Sequence, residues 1–235
     1  MRKVAIVAKD DSKIDDLKNI LKKRGFEFVT SDPDFVISFG GDGTFLIAER
    51  KYPGIPKLII KDSKTCNKCV GSNKETILDF IKMDAYEIKD EIKLEGSFQG
   101  HEFIAINDFI IRNKTPNQAI RLSIYIDGNR HHDEVIGDGL IVSTPFGSTA
   151  YFKSITRETF DKGIGLAFNN PVEDHDPVYL TEHQVVKVKI LRGDAQVSYD
   201  NESKVYTLKE GEIMLIRKAL KTAKVIKLEG YRDIK

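Results

Sequence analysis

Tryptophan is absent, cysteine occurs twice, and neither sign of charge prevails, with 37 Lys and Arg against 36 Asp and Glu. Without a charge excess or a long basic run, the chain lacks the field that would draw it to nucleic acid or a membrane surface. Long apolar runs are missing too. The first apolar segment, Val4 to Ala8, is cut short by Lys9-Asp10-Asp11. It is too short for a signal peptide and far too short to span a bilayer. These absences lead to the expectation of a cytoplasmic protein with no nucleic-acid and no membrane partner. No internal repeat or low-complexity linker interrupts the 235 residues, a length that suits two small domains, each with its own core.

The two cysteines form one C-x-x-C, Cys66-Asn67-Lys68-Cys69. A structural zinc needs four ligands, so one pair would require a second subunit or two histidines from elsewhere. His131 and His132 are adjacent in sequence. On a strand they would point to opposite faces and would not chelate together easily. Two ordinary thiols is the reading that follows, with metal binding or redox use as alternatives.

What is present centres on Phe35-Val36-Ile37-Ser38-Phe39 running into Gly40-Gly41-Asp42-Gly43-Thr44. An apolar, β-rich run that ends in glycines before the helical-looking Phe45 to Arg50 reads as strand, tight loop and helix start. Such a junction suits a phosphate, because glycine lets the backbone approach an anion and a helix N-terminus supplies free N–H groups. Asp42 would repel that phosphate unless it binds a metal, accepts a proton from a nucleophile or grips a sugar hydroxyl. The plainer alternative is a tight turn with an Asx-type aspartate.

Around this junction, Val4 to Val7 reads as a first strand, and Ile14, Leu17, Ile20 and Leu21 fall at helical spacing between Asp10-Asp11-Ser12 and Gly25. Phe26 to Val29 and Leu58 to Ile60 read as strands and Glu75 to Met83 as a short helix. The alternation predicts a parallel sheet covered by helices, with ligands at the carboxyl ends of its strands. From Tyr86 the pattern changes to period two, cleanest at Ile120, Leu122, Ile124 and Ile126 before Asp127-Gly128. Further short strands are expected at 140–143, 185–190, 196–199, 205–208 and 213–216. The fold class is therefore α/β plus all-β. An N-terminal α/β domain over 1–84 is completed by 218–235, where 225–228 returns as a strand, and an antiparallel β-sandwich domain spans 85–217. Within the latter, Gly137-Asp138-Gly139, then Leu140 to Pro145, then Gly147-Ser148-Thr149-Ala150-Tyr151, reads as a buried strand ending at a short helix through Ser154. Its N–H and hydroxyl donors suit a nucleotide, or equally a capped helix with Tyr151 as core.

Asp42 in the glycine loop, Asn107-Asp108, Gly137-Asp138-Gly139, Gly147 to Tyr151 and a late Asp200 occur in the order seen in NAD kinases, and the chain resembles that family from about Phe35 to Asn201. The resemblance implies transfer of a phosphoryl group from ATP or polyphosphate to the 2′-hydroxyl of the adenosine ribose of NAD, with Mg²⁺ or another divalent cation accompanying ATP. It implies that Asp42 is the base or hydroxyl-positioning group. Gly40, Gly41, Gly43 and Thr44 would face the phosphates. Asn107 and Asp108 would hold the adenosine portion. Asp138, Thr149, Ala150, Tyr151 and Ser154 would line the NAD site, some of them reaching a neighbouring subunit's ligand, and Asp200 would contact ligand from a late turn. A homodimer or homotetramer is implied. The chain departs from the family's pattern at Lys61 to Val70, where a glycine-rich segment is replaced by one without glycine, and after Tyr151. Two other readings share these residues: a kinase for another hydroxyl substrate, and an NAD- or NADP-binding regulator that has lost catalysis.

Overall fold

Continuous apolar runs make strands buried on both faces, and alternating runs make strands buried on one. The computed structural model, described for residues 1–64 and 66–231, sorts the two kinds into two units. The first holds Met1–Glu91 and the chain from Thr222 onward, and the second holds Ile92–Lys221.

In the first unit β1 (Lys3–Ala8), β2 (Glu27–Phe28), β3 (Phe35–Gly40) and β4 (Lys57–Lys61) run parallel. They are linked through α1 (Ile14–Lys23) and α2 (Asp42–Lys51), while α3 (Lys74–Lys82) leads to β5 (Tyr86–Glu91). The last strand of the chain, Ala223–Leu228, enters between β4 and β5, parallel to the former and antiparallel to the latter. All six residues of β3 are buried. Ile37 and Phe39 pack with Leu17, Leu21, Leu58 and Ile77, and Val36 packs with Ala5, Val7 and Ala48. Both faces of the sheet centre are thereby covered, as a parallel strand requires. The second expected strand shrinks to the two exposed residues of β2 at the sheet edge.

The expected domain boundary at 84/85 moves to 91/92, and its counterpart near 217/218 moves to 221/222. The cause is β5, whose register with the last strand runs from Tyr86↔Leu228 to Glu91↔Ala223. Period two shows that Tyr86 to Glu91 is a strand. It carries no information about the partner.

In the second unit β6 (Leu94–Phe98), β7 (His101–Ala105), β9 (Ile120–Ile126), β10 (Asn129–Gly137), β14 (Val186–Arg192) and β17 (Ile213–Lys218) form one antiparallel sheet, in the order β10-β9-β14-β17-β6-β7. The other contains β8 (Asp108–Asn113), β11 (Gly139–Ser143), β12 (Ile164–Asn169), β13 (Val178–Leu180), β15 (Ala195–Tyr199) and β16 (Tyr206–Leu208), ordered β13-β12-β11-β8-β15-β16. Leu122, Ile124, Val188 and Ile216 of the first sheet share a core with Ile111, Leu140, Leu166 and Val197 of the second, which is the expected sandwich. On the other side of the second sheet, α4 (Tyr151–Thr156) drops Phe152 onto Ile141 and Ala167. The returning strand Ala223–Leu228 is then β18.

One charged pair lies inside the first unit. Lys57 of β4 is fully buried, and its ammonium donates to the Glu49 carboxylate of α2 and to the Tyr52 carbonyl, while Glu49 also accepts the Gly54 N–H at 3.0 Å. Removing one partner leaves the other charge buried without compensation. Lys57→Met is accordingly expected to cost about 3–5 kcal/mol in urea denaturation, and adding Glu49→Leu is expected to recover a large part of that loss.

Candidate functional site

The junction between β3 and α2 is built without backbone strain. Gly41 precedes the helix in an extended conformation, φ −135° and ψ −167°, and its N–H donates to Thr44 Oγ1 at 3.4 Å while its carbonyl accepts the Thr44 N–H at 3.0 Å. Gly40 is required by space, since a Cβ there would collide with the Thr44 hydroxyl. The helix starts at Asp42, three residues before the expected Phe45, so the sequence read as a loop is a strand end and a first helical turn. Asp42 thus sits at the positive end of the helix dipole, where a carboxylate is favoured.

The segment after β4 closes over this aspartate. Asn67 N–H donates to Asp42 Oδ2 and Lys68 N–H to Oδ1, both at 3.1 Å, and Cys66 Sγ lies 3.2 Å from Oδ1. Cys66 and Cys69 are joined by a disulfide, where two ordinary thiols were expected. A disulfide sulfur has no proton, so the contact from Cys66 is packing and not a hydrogen bond. The segment is anchored at both ends of its course: Asp62 N–H donates to the Gly40 carbonyl at 2.8 Å, and Val70 N–H to the Ile59 carbonyl at 2.9 Å. Two cations complete this neighbourhood. Burial holds the ammonium groups of Lys68 and Lys227 below the usual lysine range, with Glu91 opposing the effect and each feeling the Asp42 charge. Sequence reading missed both, because Lys227 arrives on the returning strand and Lys68 lies in the segment whose course follows from no periodicity. Both feel Glu91 more strongly than Asp42, so the charge in this neighbourhood is mixed, with two ammonium groups available to phosphates.

In the second unit, the Asn107-Asp108 turn is clamped from several directions. Asp200, in the left-handed region at φ 49°, accepts the Asn107 N–H at 2.7 Å and the Ile106 N–H at 3.0 Å. Thr144 N–H donates to the Asn107 carbonyl at 2.9 Å, and the Thr144 hydroxyl donates to the Ile106 carbonyl and accepts the Gly147 N–H. Gly147 packs flat on the Asn107 backbone, where a Cβ would lie 2.6 Å from the Asn107 Cα. Thr149 ends a 3-10 turn over Gly147–Thr149, exposed Ala150 links it to α4, and the Ser154 hydroxyl donates to the Tyr151 carbonyl at 2.7 Å. Phe152, not Tyr151, fills the core here, which leaves Tyr151 half-buried.

Asp138 is not part of this group. Its carboxylate accepts from Asn113 Nδ2 at 3.2 Å and Asn170 Nδ2 at 3.1 Å, beside the register pair Gly139↔Arg112. The Asn107-Asp108 turn is at the opposite end of the same two strands, at Ser143↔Asp108. At about 3.4 Å per residue, the length of β11 separates the two by roughly 15 Å. His131 and His132 lie on β10 beside His175, yet the described residues include no group of three or more His, Cys, Asp or Glu side chains arranged for a metal. No helix among the described residues is long and apolar enough to cross a membrane.

Asp108 is 3% exposed, and burial first, then the Asp200 charge, pushes its carboxyl up to about 8. At neutral pH it is a protonated acid that can donate a hydrogen bond. A raised carboxyl contributes its stability below the unfolded value, near 4, and loses it as pH rises through the folded value. Asp108→Asn, which mimics the neutral form, should therefore gain stability relative to wild type as pH increases from about 4 to about 8 and keep a constant advantage above, measured by urea denaturation at several pH values.

The family profile of the ATP-NAD kinase C-terminal domain matches residues 106–228, which includes the clamped turn, Asp138, α4 and Asp200. A bifunctional NADP phosphatase/NAD kinase of Methanococcus maripaludis is 29% identical over 94% of this chain, which spans 42% of that longer protein. An NAD kinase of Saccharolobus islandicus is 34% identical over 72% of this chain and 70% of its own length. The crystal structure of an Archaeoglobus fulgidus NAD kinase in complex with ATP superposes with a TM-score of 0.81 at 23% identity, covering 97% of this chain and 93% of that one. Yeast NADH kinase complexed with NADH gives 0.83 at 15% identity, covering 97% and 83%. The two structures share the fold, and the profile with the Saccharolobus relative adds the descent: the chain belongs to the NAD kinase family.

Proposed function

We propose that this chain transfers a phosphoryl group from ATP to the 2′-hydroxyl of the adenosine ribose of NAD, producing NADP. The observation that carries the reading is Asp42 at the first turn of α2, where the helix N-terminus faces it and the half-buried ammonium groups of Lys68 and Lys227 feel its charge. A secondary alcohol ionises far above neutral pH, so its attack on a phosphorus gains from a carboxylate that takes the proton. The N–H groups of the α2 start and the two ammonium groups offset charge on the transferred phosphoryl. With no cluster of three or more metal-ligating side chains among the described residues, a divalent cation such as Mg²⁺ fits best when carried in on the donor phosphates, as Mg²⁺ commonly is. That cation would neutralise phosphate charge. The same donor chemistry suits polyphosphate, which presents like phosphate groups.

The dinucleotide falls to the second unit, with the Asn107-Asp108 turn and the Gly147 to Ser154 segment as its adenosine-side contacts. Asp108 as a neutral acid offers a donor to a ring nitrogen or ribose oxygen. Asp138, at the far end of β11, would line the dinucleotide site at a second place, away from the contacts at Asn107. A homodimer or homotetramer is part of this reading through the family resemblance. A cytoplasmic place is part of this reading.

Purified protein supplied with NAD, ATP and Mg²⁺ is expected to form NADP, and Asp42→Asn is expected to reduce turnover by roughly two or more orders of magnitude, the scale of a lost general base. NAD binding by calorimetry should survive the substitution. Near wild-type turnover in the variant would remove Asp42 from that role. Binding without product from any donor would favour the regulator over the kinase.

A further inference from the structure

The disulfide beside Asp42 answers to nothing in the phosphoryl transfer. It closes the four-residue loop Cys66 to Cys69, with Cα atoms 5.7 Å apart. The two residues inside that loop, Asn67 and Lys68, are the ones whose N–H groups occupy the two carboxylate oxygens of Asp42. Cys69 N–H points back at Cys66 Sγ, at 3.2 Å, so the loop is folded tightly around the bridge. Both cysteines are partly exposed and within reach of a small thiol.

We propose that Cys66 and Cys69 form a reversible thiol–disulfide modification site that governs Asp42, the bridged form being the less active one. This rests on the kinase reading above. Bridged, the loop holds two donors against the carboxylate and covers the place where a ribose hydroxyl must approach. In the reduced form a segment without glycine is no longer tied across four residues, and the Asn67 and Lys68 amides are free to leave. The chemistry balances with a dithiol reductant. Its thiolate attacks one protein sulfur and breaks the S–S bond, and its second thiol resolves the mixed disulfide. The protein gains two electrons and two protons, and the reductant leaves as a disulfide. A kinase whose product feeds reducing equivalents would thereby sense the poise of the thiol pool.

The test compares protein equilibrated in oxidised and in reduced dithiothreitol, with two readouts. The initial rate of NADP formation is expected to be slower by about tenfold or more in the oxidised protein, a part of what general-base catalysis is worth, and to recover on reduction. Amide hydrogen exchange of the 66–69 peptide is expected to be protected in the oxidised protein and fast in the reduced one. Cys69→Ser, which cannot close the bridge, should show one rate in both buffers. Equal rates with equal exchange in the two states, or a faster oxidised enzyme, overturn the proposal. If neither state forms NADP, the kinase reading fails and exchange alone decides: protection lost on reduction supports the switch, and unchanged protection rejects it.

Discussion

The space that a Cβ would occupy on Gly40 belongs to the side chain of Thr44, and the first unit depends on that exchange. Because the Thr44 hydroxyl sits against Gly40 and takes the Gly41 N–H, the chain passes from the innermost strand to a helix in a single residue. The turn fixes the direction of α2 and brings Asp42 to its first turn, with the charged side facing the end of the helix that favours it. The Gly40 carbonyl then accepts Asp62 N–H, which ties the segment after β4 to the same point. Any side chain at position 40 would push on all three at once.

The second unit solves an equivalent problem by a different route. Its key turn, Asn107-Asp108, has no helix to start, so its polar backbone groups are satisfied by side chains from distant parts of the chain: Asp200, Ser143 and Thr144. Close contact between Gly147 and the Asn107 backbone leaves little room for water there. The consequence is a carboxyl at position 108 buried beside the Asp200 charge, and an acid that stays neutral where most aspartates are ionised.

Much of this was legible in the residues. The period-3.6 stripe of α1, the buried run of β3 and the alternation of β9 led to the right elements, and the GGDGT and GDG-to-GSTAY motifs led to the right family. What escaped the sequence concerns partners. Period two identifies β5 but not its pairing with β18 across more than a hundred residues, so the boundary was drawn seven residues early. Lys57 in a strand looks like a surface residue, and only the three-dimensional proximity of Glu49 shows why it can be fully buried. The Cys66–Cys69 bridge, the amides of the loop on Asp42 and the distance of Asp138 from Asn107 are likewise relations between residues, to which composition and periodicity are blind.

The return of β18 also dictates an order of events on the ribosome. The second unit is one continuous stretch, so both its sheets can close as soon as Lys221 has emerged. The first unit cannot, because β5 finds its neighbour only in β18, which also covers the edge of β4. Until β18 is made, Leu58, Ile59 and Ile60 border an open, apolar sheet edge, the kind of edge that pairs readily with another chain. The first unit is thus completed only after the second, and the open β4 edge persists for as long as Ile92–Lys221 is being made.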